Sequence, residues 1–380
     1  MGEGIDVNQE YLAQFDEQDG YLNFASVGPA SKSARKASAD LLDEVAAGDR
    51  PATQIVGPAY DQSCRTIAGA LGVEEGYATS VPSTGAGIMQ IAFGLVGSGG
   101  NIVVPAHEFP ANRYPWLRAE AVGGPEVRVV EIADRRVDTD ALGAAIDGDT
   151  RLVAVSLVDY MTGFRVDIDA IVEAAGDALV LVDGIQGLGA IEAGLGNADV
   201  FVAGGQKWLR AGFSAGVMAV SPRVFDRLAP TLTGWWSVED NFAFEIPPPH
   251  PALRTANRFL ESSPNLPGAV AAATALQVVG SGGIADIEAA VLERSGAVLD
   301  LVRSVGAEVI APWRSDSERA GIVTFRIPGV PAADAVDALA ASGFVVSERN
   351  GWIRVSPHAT TPMRVIDAFG VALRDQVRKA

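Results

Sequence analysis

One lysine stands alone in the interior of this sequence. The chain has four lysines, Lys32, Lys36, Lys207 and Lys379, and between Lys36 and Lys379 every base other than Lys207 is arginine or histidine. Lys207 lies in ADVFVAGGQKWLRAGFSAGVMAV, residues 198–220, an apolar and glycine-rich stretch. A lysine withdrawn from water loses proton affinity, and its neutral amine becomes a nucleophile toward an aldehyde, a reaction arginine does not perform. The second residue of interest is Asp183, which ends the apolar run ALVLVD. Open α/β sheets collect ligands at the carboxyl ends of their strands, where the ends of ALVLVD and DVFVAGG can lie side by side. Such a pair reads in two ways: a buried salt bridge, or the two halves of carbonyl chemistry.

One cofactor asks for both halves. Pyridoxal phosphate needs a lysine for its aldehyde and a carboxylate that keeps its ring nitrogen protonated, so that the ring acts as an electron sink. Its phosphate needs donors. In ATSVPSTGAGIMQIAFGL, Ser83, Thr84 and Gly85 directly precede a helical apolar pattern. Hydroxyls and free N–H groups at a helix start form an anion site, or else an ordinary N-cap. Phe109, in VVPAHEFPANRYPW, is either a flat neighbour for a flat ring or a core residue. Arg354, in GWIRVSPH, is either a bidentate grip on a substrate carboxylate or an ion-paired strand residue.

These residues need a scaffold, and the pattern supplies one. NIVVPA, EVRVVEI, RLVAVSLV, ALVLVD and DVFVAGG read as short strands, with TDALGAAI and DIDAIVEAAG as helices between them. Alternation of this kind predicts a parallel sheet covered on both faces. AGFSAGVMAVSPR follows DVFVAGG too closely for a crossover helix, so it is expected to run antiparallel to its neighbour. TLTGWWSVEDNFAFEIPPPHPALR reads as a long loop, expected to line the site entrance. From about Pro267 two alanine-rich helical stretches precede GIVTFRIPG, DAVDALAASG, FVVSERNGWIRVSP and a last helix, which predicts a second α+β unit.

The totals narrow the class. A chain of 380 residues, 48% hydrophobic and 20% charged, is expected to be globular and to suit two domains. A net charge of −18 argues against nucleic-acid or anionic-membrane partners. Cys64 is the one cysteine, so there is neither an internal disulfide nor a cysteine cluster for metal. His107, His250 and His358 have no metal-ligand spacing. MGEGIDVNQEYLAQFDEQDG has no apolar core of a secretory signal, and no apolar run approaches a membrane span of about eighteen residues, so a cytoplasmic protein is expected. A nucleotide-binding oxidoreductase would need G-x-G-x-x-G after its first strand. GSGGN precedes a strand instead, and GLGAIE lacks the third glycine.

In their order along the chain, from YLNFASVGPAS to WIRVSPH, the motifs resemble the fold-type I pyridoxal phosphate enzymes of the class V aminotransferase superfamily, which includes cysteine desulfurases, kynureninases and isopenicillin N epimerases. LVDGIQGLGAIEAGLGNADVFVAGGQKWL and IRVSPH carry most of the resemblance. It implies the fold-type I transferase architecture, a mostly parallel seven-stranded sheet with helices on both faces plus a smaller C-terminal α+β domain. The implied units are 1–30, an N-terminal segment serving the entrance and the small domain, then 31–255, the large cofactor-binding domain, and 256–380, the small domain. It implies Lys207 as the Schiff-base lysine, Asp183 at the ring nitrogen, Phe109 on the ring face, and Ser83, Thr84, Gly85 and Gln206 at the phosphate. Gln186 and Tyr160, or Asp159 beside it, are implied at the ring hydroxyl. Arg354 and Ser26 are implied at the substrate. A homodimer with shared sites is implied, in which Ser263 of RFLESSPN, or Trp235 or Trp236, reaches the other subunit's phosphate.

Two departures bear on the reaction. Cysteine desulfurases use a histidine over the ring and a mobile C-terminal cysteine, whereas here Phe109 holds the ring position and Cys64 lies in an N-terminal helical stretch, which disfavours desulfurase chemistry. Gly204 in GGQK stands where several relatives carry serine, so the phosphate is expected to lean on the other donors. The expected function is a class V aminotransferase acting on a small amino acid. A carbon–sulfur or carbon–carbon lyase, an epimerase and a non-enzymatic binding module of the same fold remain as alternatives, since one scaffold serves all of them.

Overall fold

The computed structural model describes residues 7–243, 245, 247 and 249–377. Parts of three expected features, residues 1–6 of the N-terminal segment, Phe244, Ile246 and Pro248 of the entrance loop, and the end of the last helix at 378–380, lie outside the described residues.

Seven strands form the large sheet: β1 (Ala78–Val81), β2 (Asn101–Pro105), β3 (Glu126–Val130), β4 (Thr150–Ser156), β5 (Leu179–Asp183), β6 (Val200–Ala203) and β7 (Gly216–Val220). Their order is β1-β7-β6-β5-β4-β2-β3, and only β7 runs against its neighbours, as its short link to β6 predicts. Alternation along a strand decides which side chain enters which core. In β5, Leu179 and Leu181 join the layer of Ile88, Ile91 and Trp116, while Val180 and Val182 join that of Phe201, Ala272 and Leu276. Both faces are therefore buried, which is why the strands read as continuous apolar runs rather than alternating ones.

The helix Leu266–Gly282 packs on the helices Lys32–Ala47 and Thr53–Ala70, against the large sheet's layer. At Gly283, with φ of 75°, the chain turns into the helix Ile284–Ser304. That helix, with Ala332–Ala341 and Met363–Val377, covers a second, antiparallel sheet of order β10-β11-β9-β8, built from β8 (Glu308–Val309), β9 (Val323–Arg326), β10 (Ser347–Arg349) and β11 (Trp352–Val355). Among the described residues no single helix is long and apolar enough to cross a membrane.

The segment after Gly20 ties the two sheets together. Leu22 and Phe24 donate backbone N–H groups to Val345 and Ser356 beside the small sheet, and Gly28 donates to the Gln206 carbonyl at 2.8 Å, at the lysine loop of the large one. A β-carbon on Gly28 would lie 2.1 Å from the Lys207 carbonyl oxygen, so this approach admits only glycine.

Candidate active site

The carboxyl ends of the parallel strands supply the site. β5 ends at Asp183, which lies between Ser156 of β4 and Val202 of β6 in the sheet register. Its carboxyl is buried and accepts a hydrogen bond from the Ile185 N–H at 3.0 Å. Burial pushes it up to about 6, against the pull of that N–H and of Lys207. β6 ends at Ala203, and the following turn carries Lys207, whose ammonium burial pushes down to about 8. Asp183 works against that lowering, while Arg354 and Arg349 add to it. The two halves read from the sequence thus meet electrostatically across the strand ends, and the lysine is held toward its neutral, nucleophilic form.

Phe109 follows β2 and stands over this point: Lys207 Nζ lies 5.4 Å from its ring centroid, and 42% of the residue is exposed, so it faces the site instead of the core. Tyr160 meets it edge-on at 5.2 Å. Asp159 beside it is committed to structure. Its carboxylate pairs with Arg135 at 2.6 Å and accepts the Met161 and Thr162 N–H groups of the turn. Gln186 is buried, with its amide donating to the Ala25 carbonyl at 3.1 Å and accepting from Trp208 Nε1 at 2.8 Å.

At the helix start Thr84–Gly94, Ser83 Oγ accepts from Ala86 N at 3.1 Å, so the hydroxyl is a true N-cap. Thr84 Oγ1 accepts from Gly204 N at 2.8 Å, which ties the lysine turn to the helix. The N–H groups of Thr84 and Gly85 belong to the first turn, which has no intrahelical acceptors for them. A β-carbon at Gly204 would lie 2.4 Å from Gln206 Oε1, so the Gln206 amide stands where a residue-204 side chain would stand. The missing hydroxyl is replaced in space by an amide.

Arg354 is buried on β11. Nη1 donates to the Tyr160 carbonyl at 2.8 Å, Nη2 to Ser26 Oγ at 2.7 Å, and Nε has no partner among the described atoms. Burial, with Arg349 beside it, brings its proton affinity down to about 10. The structure does not bring Trp235, Trp236 and Ser263 to this point. Trp235 and Trp236 meet at 4.9 Å on the surface loop, and Ser263 is exposed and makes no hydrogen bond among the described residues.

Two residues of the site were not read from the sequence. Arg349 on β10 donates to the same Ser26 hydroxyl at 3.1 Å. Its signal was present in SERNGWIR. An Asn-Gly pair predicts a two-residue hairpin turn, and the resulting register sets residues 349 and 354 on one face. Glu108, next to Phe109, is buried against Ser156, whose N–H it accepts at 2.7 Å and whose hydroxyl it also binds; burial pushes its carboxyl up to about 7. Nothing in the local sequence distinguishes it from an ordinary surface acid.

The donor set suits pyridoxal phosphate: an amine held near neutrality, a buried acid beside it, a facing aromatic ring, a helix start with hydroxyls, and a buried guanidinium with a free N–H. The class-V aminotransferase family model matches residues 52–361. A probable cysteine desulfurase of Pyrococcus abyssi is 24% identical over 86% of this chain and 85% of its own length. A kynureninase of Deinococcus radiodurans is 28% identical over 69% of this chain and 63% of its own. Among solved structures, a C-DES mutant with glycine covalently linked to its PLP cofactor superposes with a TM-score of 0.85 at 20% identity, covering 94% of this chain and 97% of that one. Several further relatives are named cysteine desulfurase, which lends no support to the expectation that sets this chemistry aside. The physical grounds of that expectation are Phe109 at the ring position and Cys64 on the helix Thr53–Ala70. Its thiol is partly buried, lies 3.9 Å from Asn257 Oδ1, and is pushed up to about 11 by burial.

Proposed function

The chain belongs to the class-V aminotransferase family and is a pyridoxal phosphate enzyme, and from that premise we propose that it transaminates an amino acid in the cytoplasm. In this reading Lys207 holds the cofactor covalently, Asp183 faces its ring nitrogen and Phe109 its ring. Ser83, Thr84, Gly85 and Gln206 receive the phosphate, and Gln186 and Tyr160 border the ring hydroxyl. Arg354, held by the Ser26 hydroxyl, takes the substrate carboxylate. The active unit is a homodimer in which Ser263 and Trp235 of one copy complete the site of the other.

When bound, the cofactor supplies a ring that accepts the electron pair left at the substrate Cα. The protein's share is orientation and proton movement. Arg354 fixes the carboxylate, so that the Cα–H bond is aimed at Lys207, whose neutral amine takes the proton and can return it nearby. One observation supports transamination: Lys207 is an amine held toward neutrality beside Asp183, and so a proton carrier at the site. Each histidine is engaged elsewhere. His107 Nε2 is bonded to the Ile132 carbonyl, His250 Nδ1 to the Glu239 carbonyl, and His358 is buried among Phe24, Tyr11 and Trp208. Glu108 is turned onto Ser156. Transamination asks for one such carrier, whereas expulsion of a poor leaving group asks for a second acid.

A second reading, β-carbon cleavage of a substrate with a good leaving group, is favoured by the relatives named cysteine desulfurase and kynureninase. If sulfur is released, the acceptor is a group other than the Cys64 thiol. A single turnover of cofactor-loaded protein with a panel of amino acids separates the readings. Transamination yields one oxo acid per site and leaves the substrate nitrogen on the protein. Release of the severed group, with the remaining three carbons leaving either as alanine or as an oxo acid with free ammonia, overturns transamination in favour of cleavage.

A further inference from the structure

Ser26 receives two guanidinium groups and no acid. Arg354 and Arg349 both lie within 3.1 Å of its hydroxyl oxygen, and its own proton goes to Asn23 Oδ1 at 2.7 Å. The hydroxyl's donor and both acceptor positions are thereby filled. The charges are not matched. Arg349 Nη1 goes to the Glu348 carbonyl and Arg354 Nη1 to that of Tyr160, and among the described residues neither arginine forms an ion pair. Nearby carboxylates are committed: Asp159 to Arg135, and Glu348 to the Gly351 N–H.

The hairpin makes this juxtaposition deliberate. Asn350 and Gly351 take φ of 53° and 81° in the turn, which pairs Arg349 with Trp352 and Ser347 with Arg354. Arg349 and Arg354 are therefore diagonal neighbours on one face of the hairpin. Two like charges converging on a neutral oxygen are costly unless an anion joins them. In a chain of net charge −18, one that leaves both unmatched is built to receive that anion from outside.

Resting on the reading of Arg354 as the grip on the substrate α-carboxylate, we propose that Arg349 binds a second anionic group, so that the preferred substrates are amino acids whose side chain ends in an acid, such as a carboxylate, sulfinate or sulfonate. An amino acid with a neutral side chain brings one carboxylate and leaves a guanidinium unmatched. One with an acidic side chain matches both.

The test is calorimetric titration of the cofactor-loaded protein with succinate and with butyrate, a dianion and a monoanion of equal carbon count. Succinate is expected to bind about tenfold tighter or more, the scale of one hydrogen-bonded charge pair. Arg349→Gln brings succinate down to the affinity of butyrate and leaves butyrate unchanged; Arg349→Lys keeps part of the preference; Arg354→Gln weakens both ligands. Equal affinities in the unaltered protein, or an Arg349→Gln variant that weakens both ligands alike, overturn the proposal in favour of two arginines sharing one carboxylate. The yellow cofactor absorbance keeps this outcome apart from the reading beneath it. Colour without discrimination sinks the second anion site alone. A protein that takes up no cofactor sinks the enzyme reading, and the same titration of that protein still decides what Arg349 does.

Discussion

Lys207 is pulled in two directions by its neighbours, and the balance is measurable. Burial, Arg354 and Arg349 lower its proton affinity, Asp183 raises it, and the result is about 8. Only the neutral amine attacks an aldehyde, so capture of pyridoxal phosphate by cofactor-free protein should quicken roughly tenfold per pH unit below that point and level off above it. The signs of two substitutions are opposite. Asp183→Asn removes the raising partner and should move the midpoint to lower pH, whereas Arg349→Gln removes a lowering one and should move it up. Stopped-flow capture across the pH range reads both, and a midpoint that neither substitution moves would mean the lowering comes from burial alone. Lys207→Arg keeps the charge and should give no borohydride-reducible colour at any pH. The lysine and Asp183 were legible because strand ends can be read from apolar runs. Arg349 was not, since its position depends on a hairpin register whose effect appears only when residues on two strands are paired.

At the scale of elements, the segment from Gly20 to Ser31 decides whether the two sheets present one site. It carries Ser26 to the arginine pair while Gly28 seats on the lysine turn. Gly28→Ala would drive a β-carbon into the Lys207 carbonyl, which is backbone and cannot rotate away. The expected cost is about 1–3 kcal/mol of stability, the range for overpacking a close contact, and the displaced Ser26 should raise the KM for the amino acid. Ser26→Ala serves as the comparison, because it leaves the seat intact and removes only the hydroxyl. A thermal melt with substrate kinetics on both variants checks this, and an unchanged melt for Gly28→Ala would show that the seat is not as tight as its geometry. This role was beyond single-sequence reading. YLNFASVGPAS has no strong period of either kind, and its conformation is set by partners hundreds of residues away, at Val345 and Ser356. The inner strands β2 and β4–β7 of the large sheet were legible for the opposite reason: each is largely buried on both faces, so its apolar run is complete within itself.

At the scale of the molecule, the proposed shared site draws on the surface loops. Phe213 is 72% exposed, Trp235 41% and Phe242 54%, on loops that follow the lysine turn and β7. Trp235 packs against both Trp236 and Phe242, so these rings form a cluster rather than scattered residues. Exposed aromatic clusters mark contact surfaces, and a two-fold axis would repeat the same contact at both sites. Ser263 is exposed ahead of the helix Leu266–Gly282, and Asn265 anchors that loop to the Ser214 carbonyl past the lysine turn. Although its loop is anchored two residues on, the Ser263 hydroxyl makes no hydrogen bond among the described residues. If a second copy's phosphate receives it, Ser263→Ala should weaken cofactor affinity by about tenfold to a hundredfold, the cost of one hydrogen bond to a charged group. Trp235→Ala should shift sedimentation toward the monomer, since it removes a ring from the contact. Complementation separates a shared site from a merely adjacent one. A Lys207→Ala subunit mixed with a Ser263→Ala subunit regains one site in which both residues are intact, and that mixed dimer should hold one cofactor per pair with native affinity. Cofactor binding no better than in the Ser263→Ala parent, or an active monomer in the centrifuge, would leave each chain with a site complete in itself, and the phosphate would then depend on Thr84, Gly85 and Gln206 of the same chain.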